Sequence, residues 1–142
     1  GVAAVTYGAG AFNLVNAVAG AYAERVPLVL LSGAPAAHEA ASGYRLHHRA
    51  KTLDTQWRVF EELTVDRARL DDARTAPALI ARVLDSALRE SLPVYLEIPR
   101  DMPQRPCDGS PTAPRPPSLT RRRALPGPMS CGNGCARHNG RC

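Results

Sequence analysis

Thr6-Tyr7-Gly8-Ala9-Gly10 is the first stretch of this chain whose residue types could do chemistry. It follows a short apolar run, Val2–Val5, and it precedes a helical pattern. A strand, a glycine-rich turn and a helix in that order make a phosphate cradle, because free N–H groups gather at the helix start. The dinucleotide version needs glycine at three positions, G-x-G-x-x-G. Gly8 and Gly10 supply two of them, and Asn13 stands at the third. That version also wants an acidic side chain about 20 residues on, at the end of the second strand, to hold a ribose. Ser32-Gly33-Ala34-Pro35 offers none. NAD and FAD are set aside on both counts. The glycines then serve either another cofactor or plain close packing of strand against helix.

Two other groups of residues could do chemistry. Cys131, Cys135, His138 and Cys142 share one short stretch, but they contain one zinc-type pair and no second. No metal site is expected from them. His38, His47 and His48 lie on a long polar connection between Ala36 and Thr55, and His38 is read as a solvated loop histidine.

The elements that must position these residues follow a regular pattern. Val2–Thr6 is a nearly continuous apolar strand, as expected where both sheet faces are covered. Phe12, Val15, Val18, Ala19 and Tyr22 recur at helical spacing, and Pro27 is expected to stop that helix. Leu28–Leu31 forms a second buried strand. Residues around Trp57–Glu62 read as helical, with a weak strand near Leu63–Arg69. Thr75 is expected to cap a helix whose stripe is Leu79, Ile80, Val83, Leu84, Ala87 and Leu88. Val94–Ile98 is a last strand, closed by Pro99. Strands alternating with helices predict an α/β fold, a parallel sheet with helices on both faces.

Charge and composition divide the chain near Met102. Residues 103–142 hold seven of the 18 Lys+Arg and one of the 13 Asp+Glu, leaving residues 1–102 with 11 bases and 12 acids. The formal net charge of +5 therefore belongs to the tail, and nucleic acid is not an expected partner. The tail also carries eight of the 13 prolines and all four cysteines. Such a segment buries too little apolar area to offset its ordering entropy, so 103–142 is expected to be disordered or out of frame. The chain opens at Gly1 inside a strand, which leads us to expect a fragment of a truncated or frame-shifted gene product. Neither a charged leader with a cleavage site nor an apolar run of membrane-spanning length is present in the sequence. No membrane association is expected, and a cytoplasmic location is.

"VTYGAGAFNLVNAVAGAYAERVPLVLLSGAP", then "LHH", then "LPVYLEIPRDM" resembles the thiamine-diphosphate-dependent 2-oxo-acid decarboxylases. The likeness runs over residues 1–102 and implies part of the N-terminal, pyrimidine-binding domain. The adjacent pair His47-His48 resembles the branch that handles pyruvate, indolepyruvate and phenylpyruvate. Acetolactate synthases share the "AYAE-x-x-P" and "SGAP" stretches, and a fragment of such an enzyme is the nearest alternative. A non-catalytic interaction module is the alternative from another class.

The resemblance implies roles residue by residue. Thr6, Tyr7 and Gly8 would lie beside the cofactor's aminopyrimidine, while His47 and His48 would be the catalytic pair at the substrate end. Imidazole, with an ordinary pKa of about 6.5, suits proton handling at neutral pH. The expected cofactors are thiamine diphosphate and Mg²⁺, with the substrate a 2-oxo acid such as indole-3-pyruvate or phenylpyruvate. The family's metal-diphosphate motif and its activating glutamate are not found in this chain, so the chain alone is expected to be inactive. A homo-dimer or tetramer is expected of the parent enzyme, with the helix Ala11–Arg25 facing a partner subunit.

Overall fold

A computed structural model describes residues 1–107. The expected disorder beyond them and the Cys131-Cys135-His138-Cys142 cluster lie outside the described residues. The elements are β1 (Val2–Val5), α1 (Ala9–Phe12), α2 (Val15–Ala23), β2 (Val29–Ala34), α3 (Ala37–Ala41), α4 (Thr55–Glu61), β3 (Asp66–Arg69), α5 (Ala76–Glu90) and β4 (Val94–Pro99). The four strands form one parallel sheet in the order β1-β2-β4-β3, with Val2 opposite Val29, Val29 opposite Val94, and Asp66 opposite Val94. This is the α/β parallel-sheet architecture that the alternation of patterns predicts.

Two small cores lie on the two faces. On one, α5 lays Val83 and Ala87 on Ala68, Val94 and Leu96. On the other, Ala11, Val18 and Phe60 close over Leu30 and Tyr95. Full burial of one such aliphatic or aromatic side chain contributes about 1.5–3 kcal/mol, so these few contacts decide where each helix lies. Coverage is uneven. Among the described residues nothing covers the α5 side of β1, which leaves Val2 70% exposed, so the expected burial of that strand on both faces is corrected.

Several boundaries and one cap also differ from the sequence pattern. The single expected helix is broken at Asn13-Leu14, where Leu14 N–H bonds the Ala11 carbonyl at 3.0 Å, a tighter i−3 turn that ends α1. It ends before Pro27: Arg25 adopts φ 52, and Val26 N–H reaches the Ala21 carbonyl at 2.8 Å. That is a Schellman closure with arginine where glycine is usual. β2 runs on through Ser32-Gly33-Ala34, because β4 continues beside it as far as Pro99. Thr75 holds the N-cap position without a capping hydrogen bond; its hydroxyl turns back to the Asp72 carbonyl instead. The weak strand is real but shorter, and His38 lies exposed on α3 rather than on a loop.

Gly20 sits inside α2 with nothing within 4 Å of an added Cβ. Gly20→Ala is expected to raise stability by about 0.5–1 kcal/mol, since alanine loses less backbone freedom on entering a helix. A denaturant midpoint that falls instead would show this face to be in contact with something.

Candidate functional site

Parallel strands all point their carboxyl ends the same way, and ligands of open α/β sheets bind outside those ends. Here the carboxyl end of β1 gives Thr6, Tyr7 and Gly8, β2 gives Ser32 and Ala34, and β4 gives Glu97. The turn at Gly8 requires glycine. Its backbone has φ 65 and ψ −121, and an added Cβ would lie 1.7 Å from the His48 carbonyl oxygen. Gly10 has a packing reason as well, because its added Cβ would meet Thr6 Cγ2 at 2.4 Å.

Gly8 thus brings together the two segments singled out in the sequence. His47 and His48 occupy the centre of a turn in which Arg49 N–H bonds the Leu46 carbonyl at 3.3 Å. His48 takes φ 63, the left-handed conformation such a turn demands of its third residue. The two imidazole centroids are 3.9 Å apart, and the Tyr7 ring stands edge-on to His48 at 6.2 Å. Both histidines are exposed, as is Thr6, whose side chain turns towards Gly10; Tyr7 is half-buried and Gly8 buried. Four of the five candidate residues therefore converge, and Thr6 stands at the rim.

Beneath the turn lies a buried polar chain that sequence reasoning missed. Gln56, in the first turn of α4, accepts the Gly8 N–H at 2.6 Å through Oε1. Its Nε2 donates to Ser32 Oγ at 2.9 Å and to the Tyr95 hydroxyl. Tyr95 passes its own O–H to Glu97 Oε2 at 2.7 Å, and Glu97 Oε1 accepts from Arg69 Nε at 2.7 Å. Burial first, then the Glu97 carboxylate, raises the Tyr95 phenol well above the usual tyrosine range. The hydroxyl therefore stays a donor at any ordinary pH. Arg69 also lies over the Trp57 ring, 4.9 Å from its centroid. The signal available in the sequence was a glutamate in an otherwise apolar strand, "VYLEI", which must find partners when buried.

A cleft opens above this chain, bounded by Tyr7, Gly8, Phe12, Pro35, Leu53 and Gln56. Arg49, Thr52 and Glu97 line it as well, so apolar and polar groups share its surface. The Gly8 N–H, which a phosphate cradle would use, is already committed to Gln56. Tyr7, Phe12, Pro35 and Leu53 offer apolar and aromatic surface of the kind a flat heteroaromatic ring packs against. A cofactor's aminopyrimidine would make that demand; with only about 20 Å³ enclosed, the ring would lie against the mouth of the cleft and not within it.

Residues 1–57 match the family model of the thiamine pyrophosphate enzyme, N-terminal TPP binding domain. The chain is 67% identical over 102 residues to the indole-3-pyruvate decarboxylase of Azospirillum brasilense, covering 72% of this chain and 19% of that protein. It is 36% identical over 107 residues to a probable pyruvate decarboxylase of Schizosaccharomyces pombe, covering 74% and 19%. It is 39% identical over 104 residues to the pyruvate decarboxylase of Aspergillus parasiticus, covering 72% and 18%. The chain spans about a fifth of the length of these curated relatives. With a parallel sheet, a glycine turn tied to a histidine turn and a cleft at the strand ends, the chain resembles part of the N-terminal TPP-binding domain of the thiamine pyrophosphate enzymes, the family match running over residues 1–57.

Proposed function

We propose that residues 1–102 form the pyrimidine-side wall of a thiamine-diphosphate-dependent 2-oxo-acid decarboxylase, with indole-3-pyruvate or phenylpyruvate the best-fitting substrates. The observation that carries this is the contact of Gly8 with His48, which sets a cofactor-facing turn beside a pair of titratable rings. Likeness to a protein named for indole-3-pyruvate over essentially the same stretch supports the substrate class. Residues 103–142 stand outside this functional unit.

Thiamine diphosphate, when bound with Mg²⁺, supplies the electron sink that carbanion chemistry at a 2-oxo acid needs. The chain's own part is to hold and to exchange protons. Tyr7 and Gly8 would pack the pyrimidine ring, with Thr6 at the rim. His47 and His48, exposed at the mouth, would orient the carboxylate of the acid and take or give a proton at a ring nitrogen. We also propose a cytoplasmic homo-dimer or tetramer, in which α2, with Ala17, Gly20 and Ala23 on its open side, faces a second subunit. Among the described residues no helix is long and apolar enough to cross a membrane.

A chimera tests the proposal. Residues 1–102 replace the matching stretch of the A. brasilense protein, and the 142-residue chain is assayed in parallel with thiamine diphosphate and Mg²⁺. The chimera is expected to turn over indole-3-pyruvate within about tenfold of its parent, given that core-compatible swaps cost little. The chain alone is expected to release no aldehyde. A folded, cofactor-loaded chimera without turnover would refute the assignment.

A further inference from the structure

Gln56 is the junction of the buried chain. It is 5% exposed and ties three neighbouring strands together: Gly8 just after β1, Ser32 in β2 and Tyr95 in β4. The direction of every bond is fixed by chemistry. A backbone N–H can only donate, so Oε1 must face Gly8, and both Nε2 protons are left for Ser32 and Tyr95. Tyr95 must then donate onward to Glu97, whose second oxygen is held by Arg69. Ser32 must donate to the Gly33 carbonyl at 3.0 Å. One arrangement of protons satisfies the whole set, and the orientation of the Gly8 peptide is part of it.

We infer that Gln56 is a positioning residue for the active site, fixing the Thr6–Gly8 turn and, through Gly8, the His47-His48 turn. The inference rests on the reading of these two turns as facing one site. Gly8 has no side chain of its own to hold it, and its neighbour across the gap is the His48 carbonyl. Freed from Gln56, the Gly8 peptide can rotate, and the histidine turn loses the surface it leans on. Displacements of about 1 Å in a positioned group are enough to cost about 10²-fold in rate.

Two substitutions separate positioning from bulk stability. Gln56→Met keeps the volume but neither donates nor accepts usefully; Gln56→Glu keeps an acceptor for the Gly8 N–H and loses the donors. The probe is the isotope-labelled 142-residue chain, with amide exchange and resonance positions followed residue by residue. In Gln56→Met the Gly8 amide should exchange about tenfold faster, the loss expected for one hydrogen bond. The Tyr7, Gly8, His47 and His48 resonances should move with it, while β4 and α5 amides keep their protection. Gln56→Glu should restore the Gly8 protection. Uniform loss of protection in both variants, or an unchanged Gly8 amide in Gln56→Met, would overturn the inference. In the chimera, Gln56→Met should lower kcat about 10²-fold with little change in KM. A parent chimera without activity would count against the decarboxylase assignment alone, since the amide readout does not depend on turnover.

Discussion

His48→Asn in the chimera is expected to lower kcat by about 10²–10⁴-fold, the usual worth of a general acid–base group, while thiamine diphosphate still binds. Asparagine is chosen because His48 has φ 63, a conformation that asparagine tolerates better than most residues. The backbone of the turn is thereby kept, and with it the carbonyl against which Gly8 rests. Only the titratable ring is lost. His47→Ala is expected to act in the same direction, because its ring packs 3.9 Å from that of His48 and shares the same exposed mouth. Both side chains are exposed, so neither change removes much buried area and the thermal midpoint should move little. Steady-state kinetics with a cofactor titration decide the matter. Undiminished kcat in both variants would return the pair to the status of ordinary loop histidines.

Gly8→Ala is expected to be the most damaging of the Gly→Ala changes among the described residues. Two independent costs fall on it. The backbone at φ 65, ψ −121 lies outside the regions open to residues with a Cβ, and such strain costs about 1–3 kcal/mol. The new Cβ would also stand 1.7 Å from the His48 carbonyl oxygen, a backbone atom that cannot swing aside as a side chain would. Relief requires movement of the whole histidine turn or rotation of the peptide that Gln56 holds. A loss of about 3–4 kcal/mol is expected, above the range of about 0.5–3 kcal/mol in which most substitutions fall. Chemical denaturation measures it, and Gly20→Ala is the matched control, since its added Cβ meets nothing. Similar midpoints for the two variants would mean that the turn is looser than its contacts imply.

The elements were legible where periodicity carries them. β1, the α5 stripe and β4 follow directly from apolar runs and helical spacing, and the alternation of strand and helix dictates the parallel sheet. The glycine turn was legible from glycine chemistry, and the histidine pair only as two adjacent residues on a long polar connection. Their contact was not, because 40 residues separate Gly8 from His48 and no local pattern encodes a meeting across a gap. Gln56 was invisible for a related reason. A glutamine near the start of an amphipathic helix reads as surface, and only the strands folded beneath it turn it inward. Helix ends misled where backbone geometry overrode composition: Arg25 takes a left-handed position that glycine usually marks, and Thr75 sits at a cap it does not make. The side of β1 left uncovered among the described residues could not be foreseen, since an apolar strand reads the same whether or not a helix covers it.

The most direct measurement is product analysis of the chimera supplied with indole-3-pyruvate, thiamine diphosphate and Mg²⁺. If this segment forms the substrate wall of a decarboxylase, one carbon dioxide should appear for each molecule of free aldehyde. His48→Asn should slow both to the same extent. A folded, cofactor-loaded chimera that yields no carbon dioxide, or one that joins two 2-oxo acids in the manner of an acetolactate synthase without releasing aldehyde, would contradict the account.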